Sequence, residues 1–125
     1  MVDQEQFRRP IVSIVDDDPS VRDSLKMLFE SAEFDAETFS SAEEFLSAAH
    51  LSKSTCLILD VHLPGISGID LQRRLRADGY NQNVIFITAD PDEHTRRLAM
   101  RAGATRFFSK PFSGNDLIVA VQAHQ

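Results

Sequence analysis

A chain of 125 residues, 42% hydrophobic and 26% charged, can bury one core and is too apolar to be disordered. Its net charge of -6 excludes the basic footprint that nonspecific nucleic-acid or anionic-membrane binding needs. A single cysteine, Cys56, rules out an internal disulfide, and no apolar run nears the ~20 residues of a membrane span, so a single cytoplasmic domain is expected.

Residues 1–9 read as a loose N-terminal arm, and a domain is expected over 10–125. The first apolar run, "IVSIV" (11–15), is continuous, as in a strand covered on both faces, and it ends in Asp16, Asp17 and Asp18. Pro19 then stands at a first helical position with Asp18 as its cap, and Val21, Leu25, Leu28 and Phe29 follow at helical spacing. "FDAETF" (34–39) is a second strand, and "SSAEEFLSAAHL" opens a second helix on a capping-box pattern. "CLIL" (56–59) leads into Asp60, and "GIDLQRRLRADG" carries Ile69, Leu71 and Leu75 and closes at Gly79. "VIFIT" (84–88) ends in Thr88 and precedes "DEHTRRLAMRAGA". "TRFFS" (105–109) runs into Lys110, and "GNDLIVAVQAHQ" supplies the last helix. Cys56, within "TCLILD", reads as a buried and inert thiol. The arginines at 73, 74, 76, 96, 97 and 101 read as solvated helix faces, with a protein-docking surface as the alternative.

Five strands alternating with five helices through right-handed crossovers give a doubly wound parallel α/β sheet with helices on both faces. The carboxyl ends of its strands share one edge, where ligands bind. That edge therefore gathers Asp16, Asp17, Asp60, Thr88 and Lys110 from four segments. Crowded carboxylates repel one another unless a cation holds them, and an all-oxygen set suits Mg²⁺. Thr88 and Lys110 offer donors to phosphoryl oxygens, and Asp60, alone at its strand end, is the best nucleophile candidate.

These residues resemble the receiver domain of two-component response regulators. "IVDDD" is similar to its acidic pair, and "LILDVHLPGISG" to its phosphoaspartate loop, with proline and glycine four and eight residues beyond Asp60. "ITA" and "FFSKPF" are similar to its hydroxyl and lysine-proline signatures, over roughly residues 10–124. "SAEEFL" and "SGIDLQ" bring it nearest the nitrogen-fixation regulator class with helix-turn-helix output.

The resemblance implies the flavodoxin-like order 2-1-3-4-5, shared with a chemotaxis receiver. It implies Asp60 as phosphoacceptor and an Mg²⁺ site at Asp16 and Asp17. Asp17, Asp60 and the His62 carbonyl would be the direct ligands. Thr88 and Lys110 would hold the phosphoryl group, Phe107 would be the aromatic switch, and the Lys110–Pro111 bond would be cis. The expected partners are a histidine kinase and a phosphorylation-dependent homodimer through helix 4, strand 5 and helix 5. No direct nucleic-acid contact is expected. The domain is expected to be a phosphoacceptor rather than an enzyme, in bacterial transcription regulation, either standing alone or with its output domain missing from this chain. "ADPDEH" departs from the family at the loop after Thr88.

Two other classes stay open. An aspartate-nucleophile phosphohydrolase shares the chemistry, but usually needs a second acid where His62 stands. A phosphorylation-independent binding domain would leave the chemical positions unused. No pairing of His50, His62, His94 and His124 suggests zinc.

Overall fold

The structure is a computed structural model that describes residues 9–48 and 54–123. The elements alternate as expected: β1 (Ile11–Val15), α1 (Pro19–Ser31), β2 (Asp35–Phe39), α2 (Ala42–Leu46), β3 (Ser54–Asp60), α3 (Gly68–Ala77), β4 (Asn83–Thr88), α4 (Glu93–Arg101), β5 (Arg106–Ser109) and α5 (Gly114–Gln122). The five strands are parallel, in the order β2-β1-β3-β4-β5. Of the expected arm only Arg9 lies within the described residues, where it pairs with Glu33 at 3.3 Å. His50 and His124 lie outside them.

Alternation along the strands divides the core in two. Val12, Ile14, Cys56, Ile58, Ile85 and Ile87 pack beneath Leu25 and Phe29 of α1 and Leu117 and Val121 of α5. On the other face Val15, Leu57, Leu59, Val84 and Phe86 meet Phe45 of α2, Leu71 and Leu75 of α3 and Ala99 of α4. Each central strand is thus apolar on both sides, which explains its unbroken hydrophobic sequence.

β3 begins two residues before the apolar run, at Ser54 and Thr55. The register with β1 shifts there: Ile11 pairs with Ser54 and Val12 with Cys56. Thr55 is the extra residue, and its hydroxyl donates to the Ile11 carbonyl at 3.1 Å, while the Ser13 and Ser54 hydroxyls bond to each other in the interior. A bulge of this kind accommodates the added residue without reversing the faces beyond it.

The caps follow the local sequence. Asp18 accepts from the Ser20 amide at 2.9 Å, Ser41 from Glu44, Ser67 from Asp70, Asp92 from His94 and Ser113 from Asp116. Each satisfies an amide that the first helical turn leaves without an acceptor. Among the described residues, no helix is long and apolar enough to cross a membrane.

Cys56 is buried, and desolvation pushes its thiol from 9.0 up to about 12. A raised folded-state value favours the native state at pH below the unfolded value, and that preference is lost as pH rises from about 9 toward 12. Urea titrations at pH 8 and pH 10.5 are expected to show a smaller stability loss in Cys56→Ala than in the wild type. An equal loss would mean that the thiol does not titrate this way.

Candidate functional site

Strand register assembles the site. Val15 pairs with Leu59, which sets Asp16, the next residue of β1, beside Asp60 at the end of β3. Asp60 pairs with Ile87, so Thr88 follows one step further along β4, and Thr88 pairs with Ser109, the residue before Lys110. The Lys110 amide donates to the Thr88 carbonyl at 2.7 Å, and the Lys110–Pro111 peptide is cis. The edge expected from sequence is therefore one contiguous surface.

Asp16 is fully buried and bonded through every polar atom. Its amide donates to the Phe39 carbonyl at 3.1 Å, and its carbonyl accepts from Arg22 Nη1 at 2.8 Å. Its Oδ1 accepts from the Asp18 amide at 2.9 Å, and its Oδ2 from Lys110 Nζ at 3.1 Å. Asp60 is nearly as buried; its Oδ1 accepts from the His62 amide at 3.0 Å, and Lys110 Nζ lies 3.6 Å from its Oδ2. Asp17 is exposed and makes no side-chain hydrogen bond or ion pair within the described residues.

Burial raises the Asp60 carboxyl above the usual range, opposed by the His62 amide and reinforced by the charges of Asp16 and Asp17; Lys110 opposes the rise. A more basic carboxylate is a stronger nucleophile. For Lys110, burial disfavours the ammonium, but hydrogen bonding and charge from Asp16 and Asp60 outweigh it and raise its value. The lysine stays charged.

Oxygens of Asp16, Asp17 and Asp60 lie within 4.8 Å of one another. These three carboxylates meet one ammonium, Lys110, which leaves negative charge uncompensated. An all-oxygen donor set, buried on one side and open to water at Asp17, suits a hard cation that keeps part of its hydration shell. The residues present fit a divalent metal.

The Thr88 hydroxyl is engaged within its own loop: it accepts from the Asp90 amide at 3.1 Å and lies 3.4 Å from the Asp90 carbonyl. Phe107 pairs in register with Phe86 and is half-buried. With Pro91, Asp92, Glu93, Arg96 and Ser109 it lines a cleft of about 270 Å³ between β5 and the start of α4. The His62 side chain is exposed, and Asp18 is occupied as a helix cap, as expected.

Two residues support the site in ways that the sequence does not show. Arg22 carries no motif, since only the folded turn brings it to a carbonyl six residues back. Gly68 belongs to the loop pattern after Asp60, and the folded structure supplies its physical reason: a Cβ there would lie 2.2 Å from the Asp60 carbonyl oxygen.

An open parallel sheet with an acid cluster, a hydroxyl and a lysine at its carboxyl edge defines a receiver-type domain of flavodoxin-like topology. The response regulator receiver domain profile matches residues 12–122, and the chain belongs to that family, whose general role is to take a phosphoryl group from a kinase. It is 41% identical over 119 residues to Nodulation protein W of Bradyrhizobium diazoefficiens, covering 95% of this chain and 52% of that protein. It is 39% identical over 112 residues to the transcriptional regulatory protein FixJ of Azorhizobium caulinodans, covering 90% and 53%. Among solved structures, the response regulator StyR superposes with a TM-score of 0.85 at 42% identity, over 93% of this chain and 59% of that one. The chain thus spans about half the length of the curated relatives it matches. It is a signalling domain of the kind found in transcriptional response regulators.

Proposed function

We propose that this domain accepts a phosphoryl group on Asp60 from a bacterial histidine kinase in the cytoplasm and signals to an output domain or partner in transcription regulation. The observation that carries this reading is the buried Asp60 carboxylate, made more basic by its surroundings and set beside Lys110. An Asp60 oxygen attacks phosphorus as the bond to the donor nitrogen breaks; with a proton already on the other ring nitrogen of the phosphohistidine, this leaves an acyl phosphate on Asp60 and a neutral imidazole on the kinase. Small phosphodonors undergo the same displacement, and water later cleaves the acyl phosphate.

Asp17, Asp60 and the His62 carbonyl would hold Mg²⁺ directly, with Asp16 beside them. When bound, the ion supplies positive charge against the phosphoryl oxygens. Lys110 exchanges its contact with Asp60 for one with a phosphoryl oxygen while Asp16 keeps it oriented. The Thr88 hydroxyl leaves Asp90 and turns toward the phosphoryl group. Phe107 then moves into the space vacated, at modest cost because phenylalanine buries no hydroxyl.

That movement alters the α4–β5–α5 face; exposed side chains on these two helices include Arg97, Met100 and Val119. The phosphorylated domain dimerises through this face. Thr88→Ala, treated with beryllofluoride and Mg²⁺, is expected to dimerise several-fold more weakly than the wild type in sedimentation. Equal dimerisation would separate the hydroxyl from the switch. The proposal as a whole rests on acetyl phosphate: intact mass is expected to show one added phosphoryl group, and a protein that gains none with Mg²⁺ present is not a phosphoacceptor.

A further inference from the structure

Arg22 stands one turn inside α1, yet its guanidinium reaches back to the Asp16 carbonyl at 2.8 Å in a partly buried contact. An arginine serving only as a solvated helix surface would have no need of that acceptor. Hydrogen bonds from the Ser40 hydroxyl and amide hold the Glu44 carboxyl low, and the Arg22 charge adds a little to the effect. The guanidinium thus bonds the loop that follows β1, and its charge is felt at Glu44 near the start of α2.

The geometry has a consequence for the neighbouring acid. The carbonyl of Asp16 and the amide of Asp17 belong to one rigid peptide plane, so a bond to that oxygen orients the backbone from which the Asp17 side chain departs. Asp16 needs no help in holding its own side chain, because the Asp18 amide and Lys110 already hold both carboxylate oxygens. Asp17 has no such partner among the described residues. Its placement depends on the turn.

Resting on the reading of this edge as a divalent-cation site, we infer that Arg22 is a positioning residue, which pins the Asp16–Asp17 peptide and so presents the Asp17 carboxylate to the metal. A positive charge near a divalent cation also repels it. Removing Arg22 thus has two opposed effects, and salt separates them, because screening weakens the repulsion but leaves the loss of the pin.

The test is an Mg²⁺ titration of the wild type, Arg22→Met and Asp17→Asn at low salt and in about 0.5 M KCl, where the Debye length falls to a few ångströms. In high salt Arg22→Met is expected to bind Mg²⁺ about tenfold more weakly, the lower end of the cost of losing an outer-shell partner. The deficit should be smaller in low salt. Backbone relaxation in the metal-free proteins supplies a second readout: the Asp17 amide should be ordered in the wild type and mobile on the nanosecond scale in Arg22→Met. Should Arg22→Met not fold, Arg22→Lys keeps the charge and is expected to show the same deficit in smaller measure. Wild-type affinity of the folded Arg22 variant in high salt, alongside a weakened Asp17→Asn, would overturn the positioning role alone. Unchanged affinity in Asp17→Asn would overturn the metal-site reading and this inference with it.

Discussion

Asp60→Asn is expected to gain no phosphoryl group from acetyl phosphate with Mg²⁺, under conditions in which the wild type gains one that hydroxylamine removes. The amide has nearly the shape of the carboxylate but no anionic oxygen to attack phosphorus. The fold should not suffer. The wild-type carboxyl is raised by burial and by Asp16 and Asp17 against the opposing His62 amide and Lys110, so its ionisation opposes the native state. Sign follows from linkage: a raised group contributes stability below its unfolded value, near pH 4, and loses it as pH climbs through the folded one. In metal-free buffer at pH 7 Asp60→Asn is therefore expected to be at least as stable as the wild type, and that margin should disappear on acidification to about pH 4. Label retained by a stable Asp60→Asn would place the nucleophile elsewhere. A variant markedly less stable at pH 7 would show that Lys110 pairing outweighs the crowding.

Gly68→Ala is expected to cost about 3 kcal/mol of stability, at or above the upper end of the usual overpacking penalty, and to slow phosphorylation. A Cβ at Gly68 would stand 2.2 Å from the Asp60 carbonyl oxygen, 3.0 Å from its carbon and 3.2 Å from Val61 Cα. All three are backbone atoms, so no side chain can swing aside. The Gly68 amide also donates to the Val61 carbonyl at 3.1 Å, which ties the start of α3 to the loop after β3. Relief requires α3 to move away from the strand end that bears the nucleophile. Gly79→Ala is the comparison: nothing lies within 4 Å of a Cβ there, but its φ of +88° should cost about 1 kcal/mol. Urea titration of the two variants ranks them, and a Gly68→Ala penalty no larger than that of Gly79→Ala would refute the steric argument.

Much of this arrangement is legible in the chain. "IVSIV", "CLIL" and "VIFIT" announce strands covered on both faces, because a parallel sheet between two helical layers leaves no polar side. Asp18 and the serine opening the second helix announce helix starts, because a cap acts on amides only two or three residues away. Alternation of strand and helix directs all strands the same way, and so sends Asp16, Asp60, Thr88 and Lys110 to one edge. The polar start of β3 escaped this reading, since Ser54 and Thr55 enter the strand through a bulge and hydroxyl contacts rather than apolar burial.

Local pattern alone determined these strands, caps and strand-end groups, because each depends on residues a few positions apart. Partnership across the edge was decided only by tertiary packing. Nothing in the sequence assigns Lys110 to Asp16 at 3.1 Å ahead of Asp60 at 3.6 Å, turns the Thr88 hydroxyl to Asp90, or brings Arg22 to the Asp16 carbonyl. Nor does it say that α1 and α5 cover one face while α2, α3 and α4 cover the other. Those contacts join groups from different elements at distances of a few ångströms, and register, twist and the seating of each helix set such distances. The chemistry of the edge is therefore written along the chain, and its geometry exists only once the layers are packed.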